Sequence, residues 1–222
     1  IFEAKVMNAT KKLPIGIQDF PKLIQDKYLY VDKTEYYHRL ITEGDYYFLS
    51  RPRRFGKSLL VTTLKAIFEG KRDLFEGLWI HGKVDWEPRP VILLDFTQIS
   101  KRAATLDEGI RLALNDIARD HGVHLTEEAN PGRFLELIQA VSKERQVAIL
   151  VDEYDKPLID NIDDLEVLNL NRQALKDLYS VLKGNDSHIA FLILTGVTKF
   201  SQVSIFSDLN NLNDISLDAK YS

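Results

Sequence analysis

The stretch YFLSRPRRFGKS, residues 47–58, decides the fold, because it runs from an apolar segment into Gly-Lys-Ser. Residues 46–50 have the β-propensity of a strand, and the apolar residues after Ser58 recur at helical spacing. A strand, a tight loop and a helix in this order form most of a phosphate-binding loop, whose backbone N–H groups surround a polyphosphate. We therefore expect Lys57 to reach the outer phosphates and the Ser58 hydroxyl to bind Mg²⁺.

One position departs from the usual pattern G-x-x-x-x-G-K-[ST], because its first glycine falls on Arg51. Gly-Lys-Ser or Gly-Lys-Thr alone occurs by chance in roughly one in ten chains of this length, so the flanking strand and helix carry the prediction. Pro52 biases Arg51 toward extended backbone geometry. Arg53 and Arg54 either contact phosphate or pair with acidic residues, and we expect one of them to face nucleotide and the other to be structural. The candidate acidic partners are Asp32, Asp95 and Asp155.

The composition is that of one compact domain, or of one domain with a small appendage. The chain has 222 residues, of which 45% are hydrophobic and 28% charged. The net charge of -4 gives no general attraction to nucleic acid or to anionic membranes. The absence of cysteine excludes disulfides, thiolate catalysis and cysteine-based zinc sites in this segment. No apolar run reaches the roughly 20 residues of a membrane span and no signal-peptide pattern opens the chain, so we expect a cytoplasmic location.

Short strands alternate with helical patterns along the chain, which favours a mainly parallel sheet covered by helices on both faces. The expected strands are residues 46–50, 91–96, 147–151 and 189–194. Pro131 suits the first turn of one intervening helix, and Gly184 suits the end of another. No fifth strand beside the loop strand is evident in the sequence, so we expect the domain to be truncated at its C-terminal end.

The third strand supports the loop motif independently, because Asp152 and Glu153 follow it at the carboxyl end, where open parallel sheets bind ligands. In a phosphoryl-transfer site Asp152 holds Mg²⁺, and Glu153 orients or deprotonates the attacking water. The alternative is that Asp152 only caps the following turn. The chain between loop and acidic pair indicates that another strand, residues 189–194, lies between their strands. Thr195 at its tip then either points to the γ-phosphate or is a strand-end hydroxyl without a role.

Two further segments allow simpler interpretations. Asp32 or Thr34 caps a helix, or this upstream segment packs over a base or ribose, and both can hold together. The acidic run Asp155, Asp160, Asp163 and Asp164 lacks the glycine and spacing of a calcium loop. We interpret this run as solvated loop or helix start.

Three stretches, RPRRFGKSLL, ILVDEYDKP and LTGVTKFS, together resemble the AAA-ATPase-like family of P-loop NTPases. The stretch LPIGIQDFPKLIQDKYLYVDKTEYYHRLI, residues 13–41, is similar to the family's N-terminal segment, so the resemblance extends from about Leu13 to Tyr221. It implies an α/β, three-layer P-loop NTPase domain over residues 45–222, with residues 1–44 as a short extension packed on it. The Arg-Pro-Arg-Arg form of the loop is usual in this family.

The resemblance also implies ATP and Mg²⁺ as ligands. The candidate nucleotide-binding residues are Arg53, Arg54, Phe55, Gly56, Lys57, Ser58 and Leu59. The candidate metal ligands are Ser58 and Asp152, and the candidate catalytic residues are Glu153, Lys57 and Thr195.

Two function classes follow. One is a Mg²⁺-dependent ATPase coupled to an effector, which Glu153 favours because a pure binder needs no water-activating carboxylate. The other is a nucleotide-bound switch or scaffold with negligible turnover, which the lack of an assignable arginine finger favours. Members of the family are often fused to a C-terminal nuclease-like domain, which is one candidate partner outside this chain; a homo-oligomer is another. Direct nucleic-acid binding by this segment is not expected.

Overall fold

Five parallel strands form the centre of the protein. The computed structural model describes residues 11–199, 205, 206, 209 and 211–221. The strands are β1 (Tyr46–Ser50), β2 (Val91–Asp95), β3 (Val147–Asp152), β4 (Ile189–Gly196) and β5 (Asn213–Asp214), in the order β2-β3-β4-β1-β5. The predicted insertion of β4 between the loop strand and the acidic strand is confirmed. A fifth strand that is not evident in the sequence does flank β1, and it escapes notice because the two residues that pair there are polar and leave no hydrophobic pattern.

Helices connect the strands and cover the sheet. They are α1 (Phe20–Gln25), α2 (Thr34–Glu43), α3 (Lys57–Phe68), α4 (Phe96–Ile99), α5 (Leu106–Asp120), α6 (Asn130–Val141), α7 (Lys156–Ile159) and α8 (Leu165–Ser180). Pro131 lies in the first turn of α6, as predicted. The second strand ends one residue earlier than expected, because the Asp95 carboxylate caps α4 by accepting from the N–H groups of Thr97 and Gln98.

The strands are buried on both faces. Tyr46 and Phe48 of β1 join a core that includes apolar residues of α5, α6 and α8. Tyr47 and Leu49 point the other way, into a core with α3 and residues of α1 and α2. Every residue of β3 is buried, as its continuous apolar run predicts. The α/β, three-layer architecture of the predicted fold is confirmed.

The N-terminal helices pack against α3 and the turn that follows it. The Phe20 N–H donates to Thr62 Oγ1 at 3.1 Å, and the Phe20 and Phe75 rings lie 4.7 Å apart. The N-cap residue of α2 is Lys33, which makes no side-chain capping bond, but the Asp32 carboxylate one residue earlier accepts through Oδ1 from the N–H of Thr34, the first residue of α2. Its Oδ2 accepts from the Trp79 N–H, which fixes a second loop to the same carboxylate.

Within the residues that the structure describes, no helix combines the length and the apolar character needed to cross a bilayer.

Candidate functional site

The loop between β1 and α3 has the backbone geometry of an anion-binding loop. Gly56 precedes the first residue of α3 and has a φ of +74°, in the left-handed region. A Cβ at Gly56 would meet no atom within 4 Å, so this glycine is needed for its backbone conformation and not for space. Arg54 also lies in the left-handed region, with φ +69°. Gly56 has no side chain that could cap α3. The N–H groups in the first turn of this helix, which have no intrahelical acceptor, can therefore bind an anion held by the loop.

The side chain of Lys57 is enclosed by this loop. Lys57 is 5% exposed, and its Nζ donates to the carbonyl oxygens of Arg51 at 2.9 Å and Pro52 at 3.1 Å. Burial lowers its pKa, and the charges of Glu153 and Asp152 oppose that shift. None of the ion pairs among the described residues includes Lys57. Its partners are neutral carbonyls, which an anion can replace at little cost.

The predicted partners Ser58 and Asp152 come together beside Lys57. Asp152 is 7% exposed, and its Oδ1 accepts from Thr195 Oγ1 at 2.5 Å. Burial raises the pKa of Asp152, while hydrogen bonding by the Ser58 and Thr195 hydroxyls acts in the opposite direction. The alternative that Asp152 caps the following turn has no supporting hydrogen bond among the described residues. Asp95 pairs with Asp152 in strand register, and burial and the charge of Asp152 raise its pKa.

These groups suit a hard cation that brings further oxygens with it. No group of three or more His, Asp or Glu side chains that could hold a metal occurs in the described ranges. A hydroxyl and one carboxylate are nevertheless enough for Mg²⁺, which keeps several waters and takes its other oxygens from bound phosphates. Ser58 and Asp152 fit that donor set.

Glu153 is held by a residue that the sequence analysis did not single out. Its backbone is left-handed, with φ +52°, and its Oε2 accepts from Thr97 Oγ1 at 2.7 Å. Thr97 is the second residue after Asp95, so it follows the strand that neighbours β3. The sequence signal that could have identified Thr97 is its place as a polar residue just after the carboxyl end of a buried strand. The Thr97 hydroxyl thus fixes the direction of the Glu153 carboxylate.

Thr195 contacts both Asp152 and Glu153. It is fully buried, its hydroxyl donates to Asp152, and its Oγ1 accepts from the Glu153 N–H at 3.3 Å. The Thr195 hydroxyl thus has protein partners, and its contact with a γ-phosphate stays a prediction. Thr195 joins the end of β4 to both members of the acidic pair.

Asp155 is wrongly interpreted as part of a solvated acidic run. It is 1% exposed, and its Oδ2 accepts from the N–H groups of Val197 at 2.8 Å and Thr198 at 2.7 Å, and from the Thr198 hydroxyl at 3.0 Å. The carboxylate thereby shapes the loop after β4, a contact between residues distant in sequence. Asp164 does start a helix as expected, because its carboxylate caps α8.

We expect Asp155→Asn to lower the free energy of unfolding by about 2 kcal/mol, because three partly buried donors lose the charged acceptor that a buried carboxylate provides. Urea denaturation measures the loss. Asp160→Asn is the matched control, since Asp160 is exposed and pairs with Lys156 at the surface, where the change should stay within about 0.5 kcal/mol. Equal stability of native protein and Asp155→Asn would contradict the structural role.

The loop arginines differ in their contacts. Arg53 and Arg54 are exposed, and in the described part of the chain neither pairs with Asp32, Asp95 or Asp155. The expected ion pairs are therefore absent there, and the structural contact belongs to Arg51, whose Nη2 donates to the Tyr221 carbonyl oxygen at 2.8 Å. Phe55 is also exposed, and Leu59 is half-buried.

A cavity of about 550 Å³ lies beside the loop. The loop, the N-terminal helices and the segment of residues 211–221 all contribute to its wall. Its lining residues include Arg51, Arg54, Gly56, Lys57, Leu59, Tyr30, Tyr36, Tyr37, Leu40, Ile215 and Tyr221. Burial raises the pKa of Tyr37 to about 12, so this ring stays neutral at pH 7. The Tyr30 hydroxyl is buried beside that of Tyr37. The cavity is lined mainly by apolar surface and adjoins the loop between β1 and α3.

Comparisons with known proteins agree with these features. The family model described as predicted AAA-ATPase matches residues 14–206. A protein of Azotobacter chroococcum mcd 1, described as an uncharacterized protein in the vnfD 5′ region, is 48% identical over 218 residues, which cover 96% of this chain and 42% of that protein. The chain thus spans about two fifths of the length of this curated relative. No solved structure matches the chain.

Proposed function

Because the chain belongs to the AAA-ATPase-like family of predicted AAA-ATPases, we propose that it binds ATP with Mg²⁺ and hydrolyses it. One observation carries the proposal: Lys57, Ser58, Asp152 and Glu153 meet at one edge of the sheet, around an open helix N-terminus. These are the groups that a phosphoryl-transfer site needs for phosphate, metal and water.

Each residue has a distinct task in this proposal. Lys57 leaves the carbonyl oxygens of Arg51 and Pro52 and binds the outer phosphates, together with the N–H groups at the start of α3. Ser58 and Asp152 hold Mg²⁺, which when bound neutralises charge that develops on the phosphate oxygens. Thr195 keeps Asp152 in place, and Glu153 orients or deprotonates the attacking water.

The base occupies the 550 Å³ cavity beside the loop. Its tyrosine rings and aliphatic side chains offer flat apolar surface for a purine. No acidic side chain lines the cavity in the described part of the chain. Guanine would therefore have no carboxylate acceptor for its N1 and N2 hydrogens, which supports ATP over GTP. The exposed Arg53 and Arg54 remain candidates for phosphate contact, one of them facing the nucleotide.

Hydrolysis in this proposal is coupled to an effector domain or partner outside residues 1–222. The length of the Azotobacter relative supports further domains in longer proteins of this kind. In this proposal residues 1–44 form an N-terminal extension and residues 45–222 form the ATPase domain. A neighbouring subunit of a homo-oligomer would be one source of a catalytic arginine.

A nucleotide-bound switch with negligible turnover is the second candidate. The observation that favours it is the hydrogen bond from Thr97 to Glu153, because a carboxylate already engaged is less free to accept a proton from water. The first function is preferred because Glu153 still lies beside Lys57 and Asp152.

Calorimetric titration of the native protein with ATP, with and without Mg²⁺, tests binding, and single-turnover phosphate release tests hydrolysis. We expect a dissociation constant between about 1 μM and 1 mM and tighter binding with Mg²⁺. No detectable binding at millimolar ATP would overturn the proposal. Binding without phosphate release would support the switch.

Thr97→Val should slow phosphate release about tenfold while ATP affinity stays within threefold, because the variant removes the hydrogen bond that directs the Glu153 carboxylate. Thr97→Ser keeps a hydroxyl and should recover most of the rate. If Val and Ser variants hydrolyse ATP equally fast, Thr97 does not direct Glu153. A faster Thr97→Val variant would indicate instead that the bond restrains the enzyme.

A further inference from the structure

Arg51 stands where the usual loop pattern has its first glycine, and three contacts fix it. Its N–H donates to the Gly196 carbonyl oxygen at 3.1 Å, so the residue continues the pairing of β1 with β4. Its own carbonyl oxygen accepts from Lys57 Nζ at 2.9 Å. Its guanidinium donates through Nη2 to the Tyr221 carbonyl oxygen at 2.8 Å. The side chain thus points along the loop strand to the end of the described chain.

The segment that Arg51 reaches, residues 211–221, forms one wall of the cavity. The Ile215 N–H donates to the Phe48 carbonyl oxygen at 2.9 Å, and Ser216 Oγ accepts from the Ser50 N–H at 2.8 Å. These bonds place Ile215 and Tyr221 against the cavity. Beyond Ser216 the wall is held by fewer contacts.

Three contacts with residues distant in sequence hold Tyr221, besides the bond from its own N–H to the Asp218 carbonyl oxygen. Its ring meets the Tyr47 ring edge-on at 6.2 Å, and its hydroxyl donates to Glu43 Oε2 at 3.2 Å. The third is the bond from Arg51 to its carbonyl oxygen. Because the donor is a guanidinium, this hydrogen bond is charge-assisted and stronger than a neutral one. A glycine at position 51 would leave the Tyr221 carbonyl without this donor.

We infer that Arg51 is a positioning residue for the base half of the nucleotide site: it holds Tyr221 as a wall of the base cavity and contributes nothing direct to phosphate binding. The inference rests on the proposed binding of ATP at the phosphate loop. It explains how an arginine replaces a glycine without loss of the site. Arg51 is not among the residues with positive φ, so position 51 does not need glycine's backbone freedom, and its guanidinium is engaged by the Tyr221 carbonyl oxygen.

The contributions of the base cavity (the base half) and of the loop before α3 (the phosphate half) to nucleotide affinity can be measured separately with two ligands. ATP fills both halves, whereas inorganic tripolyphosphate with Mg²⁺ fills only the phosphate half. Arg51→Gly restores the residue type of the usual loop pattern and removes the guanidinium, which donates to the Tyr221 carbonyl oxygen and also lines the base cavity. Arg54→Ala is the matched comparison three residues away, because Arg54 is exposed on the loop itself.

Calorimetric titration of the full chain with each ligand gives the test. For Arg51→Gly we expect ATP affinity to fall about tenfold and tripolyphosphate affinity to stay within threefold. Arg51→Lys, which can still donate to the carbonyl, should recover part of the ATP affinity. Arg54→Ala, if it contacts phosphate, should weaken both ligands by the same factor. Hydrogen exchange of residues 211–221 should slow on ATP binding in the native protein and much less in Arg51→Gly.

Equal weakening of ATP and tripolyphosphate in Arg51→Gly would place Arg51 in the phosphate site and overturn the inference. Unchanged ATP affinity in that variant would overturn it as well. The Arg51→Lys variant controls for misfolding of Arg51→Gly. If lysine recovers none of the ATP affinity that Arg51→Gly loses, a positioning role is contradicted as well. If the native protein binds neither ligand, the proposed function fails, and this outcome is distinct from the other three.

Discussion

A Glu153→Gln variant is expected to bind Mg²⁺ and ATP as tightly as the native protein and to release phosphate at least 100-fold more slowly, on the order of the contribution of one general base. Glutamine has the same shape and still accepts a hydrogen bond from Thr97, so the local geometry is preserved. It cannot take a proton from water. Single-turnover phosphate release with enzyme in excess isolates this step from product release.

Glu166→Gln is the matched control for this experiment, because Glu166 is exposed near the start of α8 and is not among the groups at the site. It should hydrolyse ATP like the native protein. Equal rates for native protein and Glu153→Gln would remove Glu153 from the catalytic residues and leave the nucleotide-bound switch as the better description.

Lys57→Ala is expected to lose ATP binding by about 100-fold or more, because a buried ammonium is the main positive charge beside the phosphates. The site would retain the carboxylates Asp152 and Glu153, which repel a polyphosphate once the lysine is gone. Calorimetric titration with ATP and Mg²⁺ measures the change. A thermal melt shows whether the fold survives, and we expect it to, because the lost partners are backbone carbonyls at the loop.

Lys65→Ala is the control for Lys57, since Lys65 lies on the same helix, is partly exposed and faces Glu69. Its ATP affinity should be native. Lys57→Arg keeps the charge but not the compact ammonium, so partial recovery is expected. Native affinity of Lys57→Ala would show that the loop does not hold phosphate through this residue.

The sequence predicts the central part of this fold well, since its signals there are local. The strands β1, β2 and β3 are short apolar runs bounded by polar or turn residues, and such runs identify buried strands of a parallel sheet. The position of β4 followed from the chain length between loop and acidic pair. The strand β5 was missed because two residues, Asn213 and Asp214, carry no pattern, and only β1 selects them.

The residues of the candidate site also fall into two groups: those that local sequence patterns identify, and those whose roles depend on distant partners. Asp152 ends β3 and Glu153 follows it, while Lys57 and Ser58 begin the helix after the loop that leaves β1. The sequence identifies these four residues because parallel strands bring their carboxyl ends to one edge of the sheet. Thr97, Asp155 and Arg51 owe their roles to partners far away in sequence. The burial of Asp155 depends on the loop at Val197, and the direction of Arg51 depends on Tyr221. A single sequence offers no means of pairing such residues.

The strand order also bears on how the chain is made. The strand β1, which leads into the loop before α3, is synthesised early, yet both of its neighbours, β4 and β5, are made more than a hundred residues later. On the ribosome, residues 46–50 must therefore wait with both edges unpaired while about 140 further residues are added, at roughly 5–20 residues per second. Apolar strands in that condition pair readily with other chains. We expect nascent chains that stop before residue 189 to depend on chaperones, and nucleotide binding to begin only after β4 and β5 have been made.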